Sequence, residues 1–123
     1  MRALMFRGPM ALAWEEVETP KLVEPRDALV RPIAVARCDL DPAIALGLYP
    51  MPAPFVMGHE MVGEVIAVGD AISNVRLGDE VIVPFQLSCM TCAPCLRGHT
   101  NACVNVPSGT AFGLGPHGGV DLG

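Results

Sequence analysis

Four cysteines lie close together in the last third of the sequence and follow a C-x2-C-x2-C-x7-C pattern. They are Cys89, Cys92, Cys95 and Cys103. Gaps of two residues let neighbouring thiolates reach the same ion, and the longer gap forms a loop that returns the fourth sulfur. Four sulfurs make a closed tetrahedral zinc site, which stabilises the chain locally and leaves no position for a substrate. The pattern therefore indicates a structural zinc ion.

Disulfides and an iron–sulfur cluster are the alternative uses of these cysteines. Disulfides are typical of oxidising compartments, and the N-terminus does not resemble a secretion signal. Ferredoxins also use C-x2-C-x2-C, but their next cysteine follows after three residues and precedes a proline. Here the next cysteine follows after seven residues and precedes Val104. The spacing therefore favours zinc over both alternatives.

A second group of potential ligands consists of Cys38, His59 and Glu60. A thiolate, an imidazole and a carboxylate are the mixed ligands of a catalytic zinc, which keeps one position open. Taken singly, the same residues are a buried thiol, a surface imidazole and a solvated carboxylate, so sequence distance alone supports the metal only weakly. Adjacent residues of a regular strand point to opposite faces, so His59 and Glu60 share an ion only where Gly58 makes the backbone irregular. We therefore expect His59 to be a direct ligand and Glu60 a conditional one.

Short strands must position these residues. The 123 residues are enough for one domain, and 13 glycines with 12 prolines favour strands joined by turns over long helices. The pattern predicts an all-β barrel or sandwich, with the cysteines on a lobe at about residues 86–106 that has no regular structure. The predicted strands are Arg2–Phe6, Ala11–Glu18, Ala28–Ala36, Met61–Val68 and Glu80–Pro84.

Proline and glycine residues predict where the strands are interrupted by a bulge, a short helix and a loop. Pro32 lacks a donor for a sheet and predicts an edge strand or a bulge. Asp41 followed by proline predicts an N-cap and a short helix over Pro42–Leu46, which Gly47 ends. Three prolines in Tyr49–Phe55 predict an irregular loop.

Charge and hydropathy exclude several classes of partner. The net charge is −5 and the sequence has a single lysine, so nothing resembles a nucleic-acid footprint or a polybasic membrane patch. No apolar run approaches eighteen residues, and the N-terminus has no apolar segment typical of a signal peptide. We therefore predict a cytoplasmic protein with no nucleic-acid and no membrane partner.

Four segments together resemble the zinc-dependent medium-chain alcohol dehydrogenases of the medium-chain dehydrogenase/reductase group. They are ARCDLD around Cys38, GHEMVGEVIAVG from Gly58, LGDEVIV from Leu77, and the four-cysteine array. Their order and spacing fit along almost the whole chain. The GHE segment followed by four cysteines is a very specific combination.

The resemblance implies a GroES-like fold, a distorted antiparallel β-barrel with a short helix and a lobe that binds structural zinc. It implies that Cys38, His59 and Glu60 correspond to catalytic-zinc ligands, and that Asp41 orients the histidine. The implied reaction is reversible hydride transfer between a small alcohol, or its aldehyde or ketone, and NAD(P), with zinc as the Lewis acid. Homo-oligomers of the full-length protein are also implied.

The sequence departs from the family in two respects. Positions that carry proton-relay residues in many members are Leu40 and Ala43 here, which leaves the proton path and the substrate open. No Rossmann fingerprint for NAD(P) is present, so residues 1–123 are expected to be a catalytic-domain fragment that holds structural zinc and is inactive alone. The alternative is a β module held together by zinc, with a binding or structural role only.

Overall fold

The computed structural model describes residues 1–106 and 110–114, so the end of the glycine-rich tail lies outside the described residues. Within them the chain forms six strands, two short α-helices and one 3-10 turn. No helix in this part of the chain is long and apolar enough to cross a membrane. The elements are β1 (Arg2–Gly8), β2 (Ala11–Glu16), β3 (Ala28–Val35), α1 (Leu40–Ala45), β4 (Phe55–Val56), β5 (Met61–Val68), β6 (Glu80–Val83), α2 (Ala93–Leu96) and the 3-10 turn Thr100–Ala102.

The strands form two three-stranded antiparallel sheets. The first has the order β2-β1-β4 and the second the order β3-β5-β6. In the described part of the chain no strand pairing joins one sheet to the other. The five strands predicted from sequence are confirmed, with ends that differ by at most two residues. The prediction of a mostly β, antiparallel architecture is therefore confirmed.

The second sheet depends on a proline and a glycine that face each other. β3 is an edge strand, and its register with β5 shifts between Pro32 and Ala34. Proline has no N–H to donate, which is why it lies at this irregularity. Its partner is Gly63, where a Cβ would lie 2.9 Å from the carbonyl oxygen of Arg31. The predicted edge or bulge at Pro32 is confirmed.

A small aromatic and aliphatic core fixes α1 against the first sheet. Phe6, Ile44 and Phe55 are almost fully buried, and the two phenylalanine rings lie 5.0 Å apart between centroids. The turn between β1 and β2 also contacts the helix, because the backbone N–H of Met10 donates to the carbonyl oxygen of Ala45 at 2.7 Å. α1 is therefore held at both its buried face and its end. Four partly buried side chains complete the cluster: Leu40, Met51, Met57 and Leu114.

The helix begins earlier than its sequence predicts. α1 starts at Leu40 instead of Pro42, and the N-cap position is Asp39, whose side chain makes no capping hydrogen bond. Asp41 is not the N-cap, because its carboxylate accepts a hydrogen bond from the backbone N–H of Cys38 at 2.8 Å and lies inside the first turn. That bond tightens the chain into a turn before the proline.

Two further predictions were wrong in detail. The loop predicted over Tyr49–Phe55 ends in a short strand, because Phe55 pairs with Phe6 and is buried beside it. The cysteine lobe is not wholly irregular, since it contains α2 and the 3-10 turn. Both elements are only one turn long, so propensity alone predicts them poorly.

Candidate metal sites

The four cysteines of the lobe converge on one point. The sulfur atoms of Cys89, Cys92, Cys95 and Cys103 all lie within 4.8 Å of one another, and each cysteine is a free thiol. Zinc–sulfur bonds of about 2.3 Å place tetrahedral sulfurs about 3.8 Å apart, which this cluster accommodates with small movements. The sequence-predicted array is therefore brought together as a set of four sulfur donors.

Local turns create this convergence. Cys92 is the N-cap of α2, Cys95 lies within that helix, and Cys103 follows the 3-10 turn. Met90 has a φ of +56°, an uncommon left-handed conformation that folds the chain between Cys89 and Cys92. The short turns of the lobe therefore direct its four sulfur atoms toward one point.

Hydrogen bonds prepare one sulfur to bind metal. Cys89 Sγ accepts hydrogen bonds from the Thr91 hydroxyl at 3.4 Å, from the Cys92 backbone N–H at 3.3 Å and from the Asn105 amide at 3.3 Å. The Thr91 hydroxyl contributes most, and the pKa of the Cys89 thiol is lowered to about 5. This sulfur is a thiolate at neutral pH without any metal.

The other sulfurs differ in their surroundings. The backbone N–H of Cys89 donates to Cys103 Sγ at 3.4 Å, which lowers the pKa of the Cys103 thiol. Cys95 is buried, with 4% of its surface exposed, and burial raises the pKa of its thiol to about 12. The buried sulfur therefore gives up its proton only when a cation replaces it. Four sulfurs around an ion leave no coordination position for a reactant, so this site can stabilise structure but not perform chemistry.

A second group joins the ends of two strands and a helix. Cys38 follows β3, Asp41 lies in the first turn of α1, and His59 precedes β5. One potential ligand atom of each lies within 4.8 Å of the other two. His59 is only 6% exposed, whereas Cys38 is at the surface. The group therefore combines a buried imidazole with a thiol that solvent and small molecules can reach.

Asp41 contacts both other members of this group. Its Oδ2 accepts the hydrogen bond from the Cys38 backbone, and its Oδ1 lies 3.3 Å from Nδ1 of His59. This distance allows an electrostatic contact, but the two groups are not aligned for a hydrogen bond. The buried Nδ1 atom of His59 therefore has no hydrogen-bond partner in the described residues. A buried nitrogen without a partner is unfavourable by about 1–3 kcal/mol. A thiol, a carboxylate and an imidazole are the donor types of a metal ion with an open position, and such an ion would give a buried imidazole nitrogen a partner, so the donor set fits a metal.

The structure separates Glu60 from this group. Glu60 is exposed and lies outside the set of ligand atoms that come within 4.8 Å of one another, while its backbone carbonyl accepts a hydrogen bond from Ala36 at 2.8 Å. Its role as a conditional ligand stays a prediction. Asp41, which the sequence predicts as a helix N-cap and the resemblance as the residue that orients the histidine, lies within this distance of Cys38 and His59 instead.

Leu40 faces the core and not the metal group. Its side chain packs against the buried cluster of Phe6, Ile44 and Phe55, while its backbone N–H donates to Cys38 Sγ at 3.3 Å. A side chain at this position therefore lies away from the Cys38 sulfur.

Sequence reasoning missed the aromatic neighbour of His59. The ring of Phe85 meets the imidazole edge-on, with centroids 6.3 Å apart and planes at 81°. The carbonyl oxygen of Phe85 accepts a hydrogen bond from the backbone N–H of Phe112 at 3.0 Å, and Gln86 pairs with Ala111. The sequence signal was weak, because Phe85 simply follows the last strand and is typical of a core or rim residue.

Comparisons with known proteins all point to one protein family. Residues 24–121 match the family model described as the alcohol dehydrogenase GroES-like domain. Zinc-type alcohol dehydrogenase B of Aspergillus flavus is 37% identical over 103 residues, which make up 84% of this chain and 24% of that protein.

Solved structures give the same result. Alcohol dehydrogenase TADH from Thermus sp. ATN1 aligns with a TM-score of 0.84 and 40% identity, over 97% of this chain and 34% of that one. A cobalt- and zinc-bound thermostable alcohol dehydrogenase from Pyrobaculum aerophilum aligns with a TM-score of 0.78 and 34% identity, over 97% of this chain and 36% of that one. The chain therefore spans about a quarter to a third of the length of these proteins.

Proposed function

The chain belongs to the family of alcohol dehydrogenase GroES-like domains, and on that premise we propose that it is the zinc-binding catalytic part of an NAD(P)-dependent alcohol dehydrogenase. The family accounts for its antiparallel sheets, short helix and cysteine lobe. One observation carries the proposal: Cys38 and Asp41 meet His59, which lies at least eighteen positions further along the chain, in a group separate from the closed four-sulfur cluster.

The two clusters have different roles in this proposal. Cys89, Cys92, Cys95 and Cys103 hold a structural zinc ion, and Cys38 and His59 hold a catalytic one together with Asp41 or Glu60. A zinc ion at the second site supplies a Lewis acid for the oxygen of a small alcohol, or of its aldehyde or ketone. The chain's own residues supply the geometry: Cys38 offers an exposed thiol, and burial holds the His59 ring in place.

Asp41 has two tasks at this site. It holds the Cys38 backbone through a hydrogen bond and keeps a carboxylate 3.3 Å from the His59 ring. A carboxylate beside a ligand histidine fixes its orientation and raises its basicity. Neither Leu40 nor Ala43 can carry a proton, so the proton of an alcohol would leave by water, by a cofactor hydroxyl or by another side chain. The hydride acceptor NAD(P) and assembly as a homo-oligomer are proposed for the full-length protein from the family alone.

Zinc stoichiometry tests the proposal. The chain is dialysed against a fixed free zinc concentration that is high enough to fill a weak site, and bound metal is then measured by mass spectrometry. We expect two ions in the parent chain, and one in Cys38→Ser and in His59→Ala. His99→Ala is the matched control, because His99 is an exposed imidazole in the cysteine lobe, and it should keep both ions. A single ion that survives Cys38→Ser would refute the proposal in favour of a purely structural zinc module.

A further inference from the structure

Gly113 lies directly against the backbone of Gly58, the residue before His59. Gly113 has a φ of +64° and Gly58 a φ of +122°, both in the region that favours glycine. A Cβ on Gly113 would overlap the carbonyl group of Gly58 and would lie 2.7 Å from its nitrogen. All of these atoms belong to the backbone, so no flexible side chain can move aside. The contact therefore requires glycine at position 113.

The segment that carries Gly113 is fixed on both sides. Before it, the backbone N–H of Phe112 donates to the carbonyl oxygen of Phe85 at 3.0 Å. After it, Leu114 packs against the buried phenylalanine cluster. A side chain at position 113 would therefore displace Gly58 more easily than its own segment.

Displacement of Gly58 acts on the imidazole that follows it. His59 is 6% exposed, its ring contacts Phe85 edge-on, and its Nδ1 lies 3.3 Å from Asp41. Side chains packed at interior density cannot follow a backbone shift without losing these contacts. A shift of about 1 Å is enough to misplace a functional group for its reaction.

We propose that Gly113 is a positioning residue for His59. Its missing side chain lets the segment 110–114 lie across Gly58 and hold the imidazole within reach of Cys38 and Asp41. The inference rests on the proposed function in one respect, since that function makes the His59 ring a metal ligand. The positioning of the ring itself is independent of any metal.

Gly113→Ala tests this inference, with Gly78→Ala as the matched control. Gly78 also has a positive φ, +87°, but a Cβ added there would meet no atom within 4 Å, so Gly78→Ala also places a side chain at a positive φ but without the collision. Two measurements are made on the 123-residue chain. Cobalt(II) titration monitored by absorption separates the four-sulfur site from the one-sulfur site by their charge-transfer bands. In the metal-free chain, the nuclear Overhauser effect between the His59 and Phe85 rings reports the position of the imidazole.

In Gly113→Ala we expect cobalt at the one-sulfur site to bind about tenfold more weakly or worse, with the four-sulfur bands unchanged and the His59–Phe85 Overhauser effect lost. Gly78→Ala should behave like the parent in both measurements. Unchanged affinity and an intact Overhauser effect in Gly113→Ala would overturn the inference. So would loss of both cobalt sites, because the role of Gly113 would then be global. A parent chain that binds one cobalt ion only would refute the proposed function, and the Overhauser effect would still decide the role of Gly113.

Discussion

The carboxylate Oδ1 of Asp41 lies 3.3 Å from Nδ1 of the buried His59 ring. The two residues are eighteen positions apart, and they bring the first turn of α1 into contact with the residue two positions before β5. This contact links a residue that the sequence presents as a helix cap to the residue that it presents as a metal ligand.

Asp41→Asn should weaken the second metal site. The amide keeps the size of the side chain but removes the charge beside the imidazole, and such changes reduce metal affinity by about 10–100-fold. Competition with a chromophoric chelator measures this affinity. Asp39→Asn is the control, because the Asp39 carboxylate is exposed and makes no capping bond. Equal effects of the two substitutions would contradict a specific role for Asp41.

Thr91→Val should weaken zinc binding by the lobe. The hydroxyl of Thr91 is the largest cause of the low pKa of Cys89, so its loss leaves more of that thiol protonated. We expect about tenfold weaker zinc binding at pH 6, within the range for residues that support ligands. Thr91→Ser retains the hydroxyl and should match the parent. If serine and valine weaken binding equally, the hydrogen bond is not the cause.

Proton release on zinc binding should depend on pH in a defined direction. At pH 7 the Cys95 thiol, with its pKa raised to about 12 by burial, is protonated and must release a proton to zinc. Cys89, with its pKa lowered to about 5, is already ionised at pH 7 and releases none. As the pH falls through 5, Cys89 becomes protonated in the metal-free chain, and the number of protons released rises by about one.

Calorimetry in buffers of different ionisation enthalpy counts these protons at pH 7 and near pH 4.5. The added proton should be observed in the parent chain only at the lower pH. In Thr91→Val the same rise should begin at higher pH, because the Cys89 pKa lies closer to that of an ordinary thiol. A constant number of protons across this range would show that Cys89 is not ionised first.

Removal of zinc should open the cysteine lobe and leave the sheets intact. α2 has four residues and isolated helices of that length are unstable. Leu96 and Val104 are 74% and 72% exposed, so the lobe has little apolar packing of its own. Hydrogen exchange after chelation should show lost protection at Leu96, Arg97 and Gly98, whose amides donate within the lobe. Protection that persists there without metal would contradict this prediction.

Local patterns in the sequence predicted the parts of the fold that depend on neighbouring residues. Met61–Val68 is a mostly apolar run followed by Gly69, and it forms the predicted strand with the same ends. Pro32 also predicted a local feature, because its missing N–H leaves one position of the strand without a hydrogen-bond donor and the register shifts there. The four cysteines are close in sequence, so their spacing was enough to predict their convergence.

Contacts between distant residues could not be predicted in this way. The short strand at Phe55 exists because of Phe6, and no pattern around its three prolines indicates that partner. Asp41 entered the second metal group because its carboxylate binds the Cys38 backbone instead of capping the helix. The tight approach of Gly113 to Gly58 likewise depends on tertiary packing alone.

No strand pairing joins the two sheets in residues 1–106 and 110–114. The group of Cys38, Asp41 and His59 is therefore a place where a bound ion could connect them. Cys38 and His59 extend from the second sheet, whereas Asp41 belongs to a helix whose Ile44 is buried against the phenylalanines of the first. An ion bound by all three residues is a crosslink between the two halves of the molecule. Its binding would therefore stabilise the folded chain, so the rise of the melting temperature with metal concentration would report its occupancy even where no reaction can be measured.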